Sequence, residues 1–105
     1  MDVTTDTFEQ VVVKSSIPVL VDFWGPSCKP CLALLPQVEK LLSEHEGKVT
    51  LAKVDASKNR GLCLKLRVLG LPTFLVYQDG QEIARLSGQT LSIEQIAEAV
   101  QKVVD

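Results

Sequence analysis

The sequence predicts an α/β protein in which helices sandwich a sheet. Three observations carry this expectation. Strand-length apolar runs alternate with stretches of helical period. The run Val19–Trp24 is apolar at nearly every position, the pattern of a central strand covered on both faces. Asp79-Gly80 separates two further strand-like segments and reads as a hairpin turn. With 105 residues, 46% of them hydrophobic, there is material for one core and no room for a second, so residues 1–105 are expected to form a single domain.

The elements follow in order. Thr5 or Asp6 can cap a first helix reaching about Lys14, with Phe8, Val11 and Val12 as its apolar stripe and Ser15-Ser16 as its end. Pro18 opens the buried strand, and Gly25-Pro26-Ser27 breaks it. Over residues 28–46, Cys31, Leu34, Leu35, Val38, Leu41 and Leu42 recur at helical steps, giving a long amphipathic helix that Gly47 terminates. Pro36 removes one hydrogen bond within it and crowds the preceding turn, which predicts a kink. Residues 49–55 alternate like a strand, and residues 57–66 form a shorter helix. Residues 69–72 lead into a strand over 73–78, and residues 82–87 return antiparallel after the hairpin. Beyond Gly88, Ser92 caps a final helix with Gln95 behind it, burying Ile93, Ile96, Ala97, Val100 and Val103.

Eleven Lys and Arg against thirteen Asp and Glu leave a net charge of -2, without the basic excess that phosphate backbones reward, so no nucleic-acid partner is expected. Residues 1–6 have neither a basic start nor an apolar core, so they do not read as a signal peptide. The apolar stretches 17–24 and 69–77 are too short to span a bilayer, so no membrane association is expected and the cytoplasm is the expected compartment. Three cysteines are too few for a disulfide scaffold, and an odd count leaves at least one unpaired. In a reducing compartment a close cysteine pair points to redox chemistry or metal binding.

Cys28-Lys29-Pro30-Cys31 is such a pair, at the junction of a buried strand and a helix start. Unpaired amides and the macrodipole at a helix N-terminus favour negative charge, so the first sulfur should ionise more readily than a free thiol. The second, one turn deeper, should be shielded. That asymmetry suits a thiolate that attacks a disulfide and a partner that resolves the mixed disulfide, with Pro30 stiffening the loop between them. A zinc site would need two more ligands; Cys63 and His45 remain, neither with ligand-pair spacing, so no metal is expected. Asp22 interrupts the central strand six residues before Cys28, where burial should raise its pKa and suit it to proton exchange with the resolving thiol. An exposed, inert Asp at a frayed strand end is the alternative. Cys63 reads as a small core residue and His45 as a solvated one at the exposed end of the long helix.

Val19–Trp24, Cys28 and Cys31, Pro36, Lys53 in Ala52-Lys53-Val54-Asp55, Gly70-Leu71-Pro72-Thr73 and Gly88 resemble the thioredoxin family in order and spacing across the whole chain. The resemblance implies the thioredoxin fold, a central mixed β-sheet flanked by helices on both faces, with a cis bond at Leu71-Pro72. It implies Cys28 as nucleophile, Cys31 as resolving cysteine, Asp22 as buried proton acceptor and Lys53 as the lysine that tunes it. Leu71 and Pro72 would border the sulfurs and offer backbone to an extended substrate, with Trp24, Lys29, Pro30, Gly70 and Gly88 completing the docking surface. Core packing is the other reading of Trp24. No cofactor is implied beyond a redox-active Cys28-Cys31 disulfide; the implied partners are disulfide-containing proteins and a reductase as electron donor, with the chain a monomer.

The family commonly carries Trp, Cys, Gly, Pro, Cys, Lys where this chain has Ser27, Cys28, Lys29, Pro30, Cys31, Leu32. These departures bear on partner recognition rather than on thiol chemistry. The function expected is reduction of protein disulfides; a binding module whose cysteines serve assembly or redox sensing is the rival.

Overall fold

The computed structural model describes residues 1–105. Four strands, β1 (Val19–Trp24), β2 (Thr50–Asp55), β3 (Thr73–Gln78) and β4 (Gln81–Ser87), form one sheet in the order β2-β1-β3-β4. β1 runs parallel to β2 and antiparallel to β3, and β3 pairs antiparallel with β4, so the sheet is mixed. The helices are α1 (Lys29–Ser43), α2 (Arg60–Leu66) and α3 (Ile93–Val104).

Side chains alternate between sheet faces, and each face has its own core. Val19, Val21 and Phe23 of β1 join Phe8, Val12, Leu62 and Val68 on one side. Leu20 joins Phe74 and Val76 of β3, Leu34, Val38 and Leu42 of α1, and Ile96, Ala99 and Val100 of α3 on the other. Burial on both faces is why β1 is a continuous apolar run. The same alternation puts Asp22 on the Leu20 face, level with Lys53 on β2 and Phe74 on β3.

The local signals act as expected at several ends. Asp79 and Gly80 both have positive φ, 54° and 80°, as a two-residue hairpin with matching twist requires. Ser92 and Gln95 close a reciprocal capping box on α3. α1 runs unbroken through Pro36. Leu32 and Pro36 are both exposed, so water can reach the carbonyl that the proline leaves without its amide.

Other segments differ from expectation. The first helix is a turn at residues 5–7 followed by a π-helical stretch, Glu9–Val13, closed by a hydrogen bond from the Lys14 amide to the Glu9 carbonyl at 3.0 Å. Apolar residues are too dense there for a 3.6-residue period; the wider turn lets Phe8, Val11, Val12 and Val13 all pack on one cluster. The helix expected over 57–66 is split into a 3-10 turn, Ala56–Lys58, and α2. Buried Asn59 causes the break: its Oδ1 accepts from the Thr5 amide at 2.9 Å and its Nδ2 donates to the Asp55 carbonyl at 2.9 Å. Residues 1–3 run beside β2, with the Val3 amide donating to the Lys53 carbonyl at 2.8 Å and Val3 buried. α1 ends at Ser43, and His45 is half-buried in the following turn rather than solvated.

Asn59→Ala leaves the Thr5 amide and the Asp55 carbonyl without their side-chain partners. It is expected to lower unfolding free energy by about 2 kcal/mol in urea titrations with an unchanged m-value; a loss below about 0.5 kcal/mol would show that Asn59 does not brace this junction.

Candidate redox site

β1 ends at Trp24, and Gly25-Pro26-Ser27 turns the chain so that α1 begins immediately after Cys28. Gly25 fits closely there: a Cβ at that position would lie 3.2 Å from Leu71 Cδ1, so the leucine side chain would have to give way. Cys28 is the N-cap of α1, and its Sγ accepts a hydrogen bond from the Cys31 amide at 3.3 Å. Cys28 and Cys31 form a disulfide with Cα atoms 5.3 Å apart. Cys31 is 2% exposed, whereas Cys28 is half-buried. The pair is thus asymmetric: an accessible sulfur at the positive end of a helix and a covered one a turn inside.

The loop opposite carries Leu71-Pro72, whose peptide bond is cis. Pro72 and Thr73 are buried, the Thr73 hydroxyl donates to the Gly70 carbonyl at 2.6 Å, and the Gly88 amide donates to the Pro72 carbonyl at 3.1 Å. These bonds fix the loop while the Leu71 N–H and C=O find no partner within the chain. Leu71 forms, with Ser27, Cys28 and Ala56, the wall of a cavity of about 420 Å³. Gly70, Leu71 and Gly88 share a second one with Arg67 and Arg85.

Asp22 is 1% exposed, and its Oδ1 is buried without a hydrogen-bond partner. Burial pushes its pKa from 3.8 to about 7, with the Lys53 charge opposing the rise and that of Glu39 on α1 adding to it. Lys53 does not close an ion pair with Asp22. Its Nζ lies 4.0 Å from Asp2 and 3.8 Å from Glu39, loose pairs that leave its field available to Asp22.

The model of the family described as Thioredoxin matches residues 1–102. A thioredoxin of Acetoanaerobium sticklandii is 38% identical over 99 residues, 94% of each chain. One from Streptomyces clavuligerus is 40% identical over 83% of this chain and 80% of its own. A protein of Mycobacterium leprae named bifunctional thioredoxin reductase/thioredoxin is 36% identical over 84% of this chain and 19% of that one. The chain belongs to the thioredoxin family. It is a thiol-disulfide oxidoreductase, a thioredoxin-type carrier that reduces protein disulfides through its C-x-x-C couple.

Among the remaining residues of this thioredoxin, Trp24 is half-buried with its Nε1 enclosed and unpartnered, and it belongs to neither apolar cluster. It shares a cavity of about 330 Å³ with Lys53, Asp55 and Lys58, away from the cavity at Cys28. Lys29 is exposed and Pro30 half-buried in the first turn of α1. Cys63 is a core thiol whose pKa burial raises. No three His, Cys, Asp or Glu side chains are grouped closely enough to hold a metal ion. Sequence reasoning missed Gly25, Ala56 and Ser57, which line the cavity at Cys28. The Gly-Pro pair after a buried strand was the available signal for the first.

Asp22 gives the pH prediction. A carboxyl group with a raised folded pKa binds more protons folded than unfolded, so its contribution to stability falls as pH rises from 3.8 through about 7. Asp22→Asn should match the wild type near pH 4 and exceed it increasingly at higher pH, levelling off above pH 7 at an advantage of about 4 kcal/mol. Parallel stability-pH curves for the two proteins would contradict a buried, proton-binding Asp22.

Proposed function

We propose that Cys28 is the attacking sulfur, Cys31 the resolving one and Asp22 the proton acceptor of the couple. The carrying observation is the asymmetry of the pair: Cys28 caps α1 and is accessible, whereas Cys31 is covered. In the reduced protein the Cys28 thiolate attacks a substrate disulfide, forming a Cys28-substrate bond as one substrate thiolate leaves. Cys31 then gives its proton to ionised Asp22 and attacks the Cys28 sulfur. The second substrate thiolate leaves, and two electrons have passed to the substrate. A carboxyl with pKa about 7 can both take and return a proton near neutral pH. Lys53 is the positioning charge that keeps Asp22 from rising further.

The unpaired backbone of Leu71 supports docking of an extended substrate segment, bordered by Pro72, Gly70 and Gly88. Pro30 lies between the two cysteines in the first turn of α1, whereas Trp24 lines the separate cavity beside Lys53 and Asp55. Lys29 tunes without redirecting: a charge about 6 Å from a sulfur in water is worth about 0.7 kcal/mol, or about 15 mV in a two-electron potential. The proposed electron donor is a thioredoxin reductase, a reading supported by the relative that joins both names. The missing indole at Ser27 should weaken that coupling, since an interface anchor carries about 2 kcal/mol or more. We place the chain in the cytoplasm as a single-domain monomer with no cofactor beyond its disulfide; no helix is long and apolar enough to cross a membrane.

Dithiothreitol-driven reduction of insulin tests the reading. The wild type should turn over, Cys28→Ser should be inactive, and Cys31→Ser should accumulate a mixed disulfide through Cys28. Asp22→Asn should slow release from that mixed disulfide. Insulin reduction no faster than dithiothreitol alone would leave the binding-module reading instead, and a mixed disulfide trapped on Cys31 in Cys28→Ser would reverse the two roles.

A further inference from the structure

Residues 56–71 carry Lys58, Arg60, Lys65 and Arg67 and no acid; all thirteen acidic residues lie elsewhere. None of these four cations is in an ion pair. Steps of four and three put Arg60, Leu64 and Arg67 on one face of α2 and its C-cap, while Leu62 and Cys63 turn into the core. Leu64 is 72% and Leu69 86% exposed, which is unusual for two leucines so close together. Arg60, Leu64, Leu69 and Leu71 line one cavity of about 390 Å³. Arg67, Leu69 and Leu71 line the next, and Leu71 also lines the cavity at Cys28. An apolar strip edged by two unpaired arginines therefore runs from the far side of α2 to the reactive sulfur.

We propose that this strip is a docking surface for disulfide proteins whose chain beside the target cysteine carries acidic residues around an apolar anchor. Leu64 and Leu69 take the anchor, Arg60 and Arg67 take the acids, and Leu71 delivers the adjoining disulfide to Cys28. Charge complementarity selects this partner: the strip has positive charge without local compensation, on a molecule whose net charge is -2. The proposal rests on the reductase reading above and adds the substrate class to it.

The test uses the reduced protein in single turnover with three disulfide peptides that differ only in a flank of Glu-Leu-Glu, Gln-Leu-Gln or Lys-Leu-Lys. In each reaction the Cys28-Cys31 dithiol is oxidised to its disulfide and the peptide disulfide is reduced to two thiols, with two electrons and two protons passing across. The Glu peptide should react about tenfold faster than the Lys peptide at low salt, a ratio that shrinks toward one at high salt. Arg60→Gln with Arg67→Gln should abolish most of that ratio, and Leu64→Ser should slow the Glu peptide while leaving its salt dependence. Lys40→Gln with Lys48→Gln removes the same charge at the far end of α1 and should leave the ratio unchanged. A wild-type ratio within about twofold of one, or one lost equally in the Lys40/Lys48 variant, would overturn the docking surface. If the Gln peptide is reduced but no charge preference appears, the docking proposal alone falls; if none of the peptides is reduced, the reductase reading falls with it.

Discussion

The Cys31 amide that reaches the Cys28 sulfur across 3.3 Å ties the start of a helix to the proposed attacking atom, and the site depends on that tie. A helix N-terminus has amides with no partner in the preceding turn. Here one of them points at sulfur, and Pro30 in the first turn has no amide to leave unpaired. The sheet supports this placement. β1 is buried on both faces, and a one-residue slip would drive Asp22 into the core that holds Val19, Val21 and Phe23 and break both packing patterns, so the strand end and the helix start are held together. Gly25 lets the turn pass against Leu71, which brings the Pro72 loop to the same sulfur.

Asp22 sits in that same strand at a cost to stability. Packing alone would favour an apolar residue beside Leu20 and Phe74, and the chain retains a carboxyl group with its Oδ1 unpartnered. Lys53 limits the cost by its charge, and only loose, exposed pairs with Asp2 and Glu39 compete for it. The desolvation that makes this buried acid a structural burden also raises its pKa to about 7, the property on which its proposed role as proton acceptor rests.

Much of this was legible in the sequence because the signals were local or strongly periodic. The two-sided apolar run of β1, the Asp79-Gly80 hairpin and the Ser92-Gln95 box each specify their own geometry. The C-x-x-C was readable because its meaning comes from what precedes and follows it, a strand and a helix start. What escaped was set by distant contacts. Asn59 breaks a helix because it reaches Thr5, 54 positions away, and no local pattern announces that. The π-helical stretch Glu9–Val13 follows from how many apolar side chains one face of the sheet can accept. Val3 pairs with β2 although it is a lone apolar residue in a polar segment. The site was legible in its chemistry and less so in its walls, since Ala56 and Ser57 join it only because parallel β2 ends level with β1, Asp55 opposite Trp24.

The central claim is that the start of α1 makes the Cys28 sulfur the easier of the two to ionise. Ultraviolet thiolate absorbance of the reduced protein, followed across pH, measures this directly. The account predicts a first step at least a unit below the roughly 8.5 of a free thiol, lost in Cys28→Ser and retained in Cys63→Ser. A first step at or above about 8.5, or one that survives Cys28→Ser and disappears in Cys31→Ser, would contradict it.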